Sequence, residues 1–191
     1  DAAGDGEITQ DEMELVLMGI QVIAGETHRL SGMVEELLDF SRMENGRLKM
    51  EMERMDILAE LEEAVMVYEE RARKEGVSLR YNEPPMLPLI YGDRNRLRQV
   101  FLNVIDNALK YTPSGGEVRV SAGMEGDGIR IVIADTGAGI ASDDLPHVKE
   151  RFYKAAHSRR GSGIGLAVAD EIVSQHGGSL TLSSAAGKGT T

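Results

Sequence analysis

Hydrophobic positions recur along this chain at helical and strand periods that alternate from one segment to the next. From Thr9 to about Met43, Val16, Ile20, Ile23, Thr27, Leu30, Val34 and Leu37 recur in steps of four and three. That is a heptad-like seam on one long helix, a stripe the helix cannot bury alone. Glu44 to Gly46 breaks the pattern, and Leu48 to Met52 alternates as a short strand. Asp56 then stands as cap to an amphipathic helix from about Ile57 to Glu75. Its apolar face carries Leu58, Leu61, Ala64, Val65 and Tyr68, and Gly76 closes it. Val77 to Tyr81 and Leu89 to Tyr91 read as strands. Gly92-Asp93 turns the chain into a helix over Arg96 to Thr112, with Leu97, Val100, Phe101, Val104, Ile105 and Ala108 on one broad apolar face. Pro113 to Gly116 stops it. Glu117 to Met124 and Ile129 to Ala134 alternate or run apolar, joined as a hairpin by Gly126-Asp127-Gly128. Gly163 to Gln175 is helical, and Ser179 to Ser184 reads as another strand. The pattern predicts an α+β fold, a mixed sheet with helices on one face.

Composition narrows the chemistry. The 191 residues suffice for one core plus an appendage, with a boundary near Lys49. A formal net charge of −11 argues against general nucleic-acid binding, though not against an anionic nucleotide held in a local basic pocket. The absence of cysteine removes disulfides, zinc thiolates and thiol nucleophiles, and fits a reducing cytosol. No apolar run approaches membrane-spanning length. Residues 1 to 12 place Asp1, Asp5, Gly6, Ile8, Thr9 and Glu12 where a calcium loop wants them, but Ala3 offers no oxygen. The competing reading is a helix start, with Thr9 and Glu12 forming a capping box.

The candidate chemistry lies between residues 103 and 190. Asn103 and Asn107 are four apart on an otherwise core-facing helix, so their amides stack. Carboxamide oxygens suit Mg²⁺, which shares its shell with phosphate, and Lys110 one turn on is a point charge for the same phosphates. These are equally the marks of two surface or capping asparagines. Asp135, at a strand end before Thr136, Gly137, Ala138 and Gly139, offers an acceptor for an adenine amino group, or an Asx-capped turn. Lys154, Arg159 and Arg160 make a basic stretch ahead of Gly161, Gly163 and Gly165. Those glycines open a helix and offer N–H groups to phosphate. Leu166 departs from the dinucleotide-binding glycine pattern, and no Gly-Lys-Ser/Thr follows to make a P-loop.

In order, NVIDNALKYT, DTGAGI, ERFYKA, GSGIGL and GKGTT resemble the asparagine, first glycine, phenylalanine and second glycine boxes of sensor histidine kinases. THRLSGMVEELLDFSR resembles the second helix of their dimerisation hairpin. The resemblance implies the Bergerat fold, a two-layer α/β sandwich, with ATP and Mg²⁺ as ligands. It implies Asn107 as the Mg²⁺ ligand supported by Asn103, Lys110 on phosphate, Tyr111 against the nucleotide, and Asp135 on the adenine amino group. Gly137 and Gly139 would line the base pocket, and Phe152 would anchor a lid. Lys154 and Arg159 would approach the distal phosphates, and Gly161, Gly163 and Gly165 would form the lid-to-helix turn. Ile140, Leu166 and Thr190, within the glycine motifs, join the nucleotide-binding set. Asn103, Lys110 and Lys154 are the implied catalytic residues.

The resemblance also implies residues 1–48 as part of a dimerisation domain, residues 49–191 as the catalytic domain, and a parent protein that is a homodimer serving a response-regulator receiver domain. The expected location is cytoplasmic, with membrane anchorage of the parent left open. Three departures stand out. None of His28, His147, His157 and His176 sits in the family's phosphoacceptor motif, so the histidine-bearing helix is expected to be missing. The lid is short. The chain stops at Thr191, where a last strand would begin. Two other readings stay open: a Bergerat-fold ATPase acting as a conformational switch, whose relatives carry a carboxylate where this chain has Asn103, and a calcium-responsive module on residues 1 to 12.

Overall fold

The computed structural model describes residues 9–44, 49–82, 84–154 and 162–191. Helix α1 spans Gln10–Glu44. Its start is the capping box: Thr9 N–H donates to the Glu12 carboxylate at 2.9 Å, and Glu12 N–H donates to Thr9 Oγ1 at 3.3 Å. The calcium-loop reading falls mostly on residues 1–8, outside the described residues. The seam is open to solvent, with Val16, Ile20, Ile23, Leu30 and Val34 each more than half exposed.

The remaining elements are β1 (Glu53–Met55), α2 (Ile57–Glu75), β2 (Ser78–Asn82), β3 (Ile90–Gly92), α3 (Arg94–Tyr111), β4 (Glu117–Glu125), β5 (Gly128–Asp135) and α4 (Gly165–Gln175). The strand expected over Leu48 to Met52 lies further on. Residues 49–52 are not a strand, and pairing starts at Glu53, antiparallel to β3. The Glu51 N–H donates instead to the Asp93 carboxylate at 2.8 Å, a partner 42 positions along the chain.

Strands β2, β4 and β5 form the main sheet in that order, β2 parallel to β4 and β4 antiparallel to β5. The hairpin closes with Glu125 opposite Gly128, as the Gly-Asp-Gly turn predicts. Val118 and Val120 point inward, and Ile129, Ile131 and Ile133 line the same face of β5. Helices α2, α3 and α4 supply the second layer through Leu61, Val65, Phe101, Ile105, Leu109, Val168 and Ile172, all buried. The result is the expected two-layer arrangement. Helix α2 has its foreseen ends: the Asp56 side chain accepts Leu58 N–H, and Gly76 takes the left-handed C-terminal position.

The strand expected over Ser179 to Ser184 is not formed. Residue 184 bridges Thr190, and Ser183 and Thr191 exchange two backbone hydrogen bonds at 2.8 Å. The stretch folds back on itself, while the Thr190 carbonyl accepts the Asp135 N–H.

A charged network fixes the first half of α3. The fully buried Glu60 of α2 accepts from Arg94 at 2.6 Å and from Arg98 Nε at 2.7 Å. Arg98 also reaches Glu63, and Arg94 reaches Glu53 on β1.

Candidate functional site

Helix α3 begins at Arg94, two residues before the start expected from the hydrophobic pattern, with Asp93 as its N-cap. The Asp93 carboxylate accepts Arg96 N–H at 3.1 Å as an N-cap. From there the apolar face of α3 is buried, and Asn103 and Asn107, both half-buried, follow one turn apart. Asn103 Nδ2 donates to the Gly165 carbonyl at 3.2 Å, which joins α3 to the head of α4. Lys110 Nζ lies 4.7 Å from the centre of the Tyr111 ring. That ring is exposed and offers a flat apolar face beside a cation.

Asp135 ends β5 facing this helix end. Its Oδ1 accepts two backbone N–H groups, Gly137 at 2.8 Å and Thr190 at 3.2 Å. Both fall on one oxygen, so neither occupies Oδ2. Burial pushes the Asp135 carboxyl above its ordinary range, and the two N–H donors partly oppose that. The following turn is stitched to α3, since Ala138 N–H donates to the Tyr111 carbonyl at 3.1 Å. Gly137 is buried against that same carbonyl.

The segment 184–190 supports the turn from behind. Ser184 Oγ accepts Ile140 N–H and donates to the Gly189 carbonyl, both at 2.8 Å, and it lies 2.9 Å from Thr190 Oγ1. Gly187 N–H donates to the Ala138 carbonyl at 2.6 Å. Gly139 and Gly189 both have positive φ, and a Cβ on either would collide with backbone: Gly139 with the Ala185 carbonyl, Gly189 with that of Asp135. Sequence reasoning assigns Gly139 to close approach of a flat ring; the structure supplies a second reason in loop-on-loop packing. Gly189→Ala is expected to lower stability by at least about 2 kcal/mol, from conformational strain plus the collision. A thermal melt of the variant checks this.

The third wall is the turn into α4. Phe152 has φ of 61°, and its N–H donates to the Gly163 carbonyl at 2.9 Å. Its ring is 58% exposed, and its backbone N–H is the contact that ties it to the turn. Lys149 ties the same stretch down, donating to Asp170 at 3.0 Å and to the Leu180 carbonyl at 3.1 Å. Lys154 is exposed, Gly163 leads into α4, and Gly165 and Leu166 form its first turn, half-buried. Arg159 and Gly161 lie outside the described residues. The structure thus brings together Asn103, Asn107, Lys110, Tyr111, Asp135, Gly137, Gly139 and Gly165.

The donor set fits a hard cation that shares phosphate oxygens better than one caged by protein. Among the described residues no group of three His, Asp or Glu could hold a metal alone. Asn103 and Asn107 each carry a carboxamide oxygen on this part of α3. Sequence reasoning misses Ser184, Thr136 and His176. Thr136 Oγ1 accepts Glu117 N–H at 2.9 Å, and His176 Nε2 accepts Asp93 N–H at 2.9 Å. Only Asp93 carries a readable signal, as an N-cap residue before a helical run.

Residues 92–191 match the family described as histidine kinase-, DNA gyrase B- and HSP90-like ATPase. The chain is 32% identical over 185 residues to the signal transduction histidine-protein kinase BaeS of Escherichia coli (strain K12), covering 91% of this chain and 39% of that one. It is 35% identical over 191 residues to the sensor protein SrrB of Staphylococcus aureus (strain MRSA252), covering 98% and 32% respectively. Full-length ShkA, solved in complex with AMPPNP, matches with a TM-score of 0.79 at 26% identity over 97% of this chain and 38% of that one. The chain therefore spans well under half the length of these relatives.

Proposed function

Since the chain belongs to the histidine kinase-, DNA gyrase B- and HSP90-like ATPase family, we propose that it is the ATP-binding catalytic portion of a two-component sensor histidine kinase. It transfers the ATP γ-phosphoryl to a histidine imidazole supplied from outside residues 49–191. The observation that carries this reading is the convergence of α3 on the end of β5. The Tyr111–Ala138 hydrogen bond ties the end of α3 to the turn after Asp135, and the Asn103–Gly165 bond ties α3 to the head of α4. Asp135 reads the adenine amino group, and Tyr111 and Ile140 bound the base. Asn107 holds Mg²⁺, which neutralises phosphate charge when bound. Lys110 and Lys154 meet the phosphates, and N–H groups at the head of α4 receive them.

Residues 1–48 belong to a dimerisation element in this reading. Support comes from the exposed seam of α1, an apolar stripe of the kind that marks an interaction surface. Among the described residues no helix is long and apolar enough to cross a membrane. A homodimeric parent that serves a response-regulator receiver domain completes the proposal; the similarity to BaeS, named a signal transduction histidine-protein kinase, supports its signalling role.

The switch-ATPase alternative needs a base that activates water one turn before Asn107. Asn103 stands there, a carboxamide that lacks the basicity for that role and donates to Gly165. Calorimetric titration of AMPPNP, with and without Mg²⁺, tests the proposal. Binding is expected to strengthen with Mg²⁺, and Asn107→Ala is expected to remove that dependence while retaining weak metal-free binding. An Asn107→Ala variant that keeps the full Mg²⁺ effect would sink the ligand assignment. Steady ATP turnover abolished by Asn103→Ala would favour the alternative.

A further inference from the structure

We propose that Asp93 and His176 form a positioning pair for the nucleotide site, setting the lengthwise register of α4 on α3 and so where the Gly163–Gly165 turn lies against Asn103. The inference rests on the nucleotide-binding reading of that site. One hydrogen bond joins the two helices near each end of α4. Near its C-terminus, Asp93 N–H donates to His176 Nε2 at 2.9 Å. Near its N-terminus, Asn103 Nδ2 donates to the Gly165 carbonyl at 3.2 Å.

The two spans match. Asp93 and Asn103 are ten residues apart, about 15 Å along a helix, and Gly165 and His176 are eleven apart, about 16 Å. The helices therefore run antiparallel as a frame with a rung at each end. A slide of one residue, about 1.5 Å, breaks both rungs at once. The His176 ring is itself held. Its Nδ1 lies 2.8 Å from the Ile172 carbonyl, which only accepts, and its Nε2 faces a backbone N–H, which only donates. One tautomer satisfies both partners. Gly92 leaves room for the ring: a Cβ there would lie 3.2 Å from His176 Cδ2 and 2.9 Å from Leu97 Cδ1.

The Asp93 carboxylate, 4% exposed, makes this rung a junction. It caps α3 through Arg96 N–H and also accepts the Glu51 N–H from the stretch ahead of β1. The segment entering the catalytic part is thus hooked to the same point that sets α4 against α3.

His176→Phe keeps an aromatic ring and removes both ring hydrogen bonds, whereas His176→Gln restores an acceptor oxygen for the Asp93 N–H. The readouts are the Asn103 side-chain amide signals in a ¹H–¹⁵N spectrum, the affinity for AMPPNP with Mg²⁺, and the melting midpoint. In His176→Phe the Asn103 signals are expected to move, although the substitution is a full rung away, and affinity to fall about tenfold, the worth of one hydrogen bond. His176→Gln is expected to return both toward wild type. Unmoved Asn103 signals in His176→Phe would overturn the proposal. So would an affinity loss that His176→Gln leaves in place while it recovers the midpoint. If His176→Phe does not fold, His176→Asn, polar but too short to span the gap, takes its place with the same expectations. A wild-type chain that binds no AMPPNP would sink the nucleotide reading, and the Asn103 signals alone would then decide the positioning pair.

Discussion

Asp135→Asn is expected to weaken AMPPNP binding by about 100-fold or more while leaving the unliganded fold at least as stable as wild type at neutral pH. The two halves of this expectation have separate causes. An amide oxygen at the Oδ1 position still accepts from Gly137 and Thr190, so the turn keeps its two hydrogen bonds. The other position becomes an NH₂ group. In the proposed reading it would face the amino group of adenine and set donor against donor. A hydrogen bond to a charged acceptor is worth about 1.5–3 kcal/mol, and a buried mismatch adds to the loss.

The pH dependence of stability separates charge from shape at the same residue. Burial raises the Asp135 carboxyl above its ordinary range. The folded chain therefore holds that proton more tightly than the unfolded chain does. Its contribution to stability is fully present below the unfolded carboxylate's range and is lost as pH rises through the raised value. At neutral pH the ionised group works against the fold, and the amide does not. The melting midpoint of Asp135→Asn minus that of wild type should thus be greatest near pH 7 and shrink as pH falls toward about 4. A difference that grows on acidification would contradict the assigned direction.

Glu60→Ala is expected to destabilise the fold by about 1–3 kcal/mol, a sizeable share of a net stability of about 5–15 kcal/mol. Glu60 is fully buried and lies between Arg94 and Arg98. Truncating it leaves a cavity and removes the shared acceptor, while Arg94 keeps Glu53 and Arg98 keeps Glu63, both at the solvent edge. Replacing all three by apolar residues of similar volume, Glu60→Leu with Arg94→Met and Arg98→Met, should restore most of the loss. Urea titration of the single and triple variants measures both. A single variant within about 0.5 kcal/mol of wild type, the range of ordinary surface changes, would show that the network adds little.

The legible parts of the fold are those whose cause is local. Asp56 and Gly76 bound α2 because a cap and a left-handed terminus are chosen within four residues of each other's helix end. Gly126-Asp127-Gly128 closes the hairpin for the same kind of reason. The apolar face of α3 was readable from period alone, and so was the unpartnered seam of α1. The misplaced elements have distant causes. The stretch 49–52 fails as a strand because Glu51 donates to Asp93, far along the chain. The expected strand ending at Ser184 fails because Ser183 and Ser184 pair with Thr191 and Thr190, and the Leu180 carbonyl accepts from Lys149. Glu60 sits on α2 beside Leu61 and reads as a solvent-facing acid; only the arrival of α3 buries it. In the site, residue types announced Asn103, Asn107 and Asp135. His176 could not be read that way, since its role depends on a backbone N–H 83 positions earlier.

The second donor on Asp135 arrives 55 positions after the carboxylate it orients. During synthesis at about 5–20 residues per second, Asp135 is made roughly 3–11 seconds before Thr190. Over that interval a nascent chain can give this carboxylate only one of its two orienting bonds, and its turn lacks the support of Ser184 and Gly187. In the proposed reading, competence to hold a nucleotide therefore waits on residues synthesised well after the hairpin and α3.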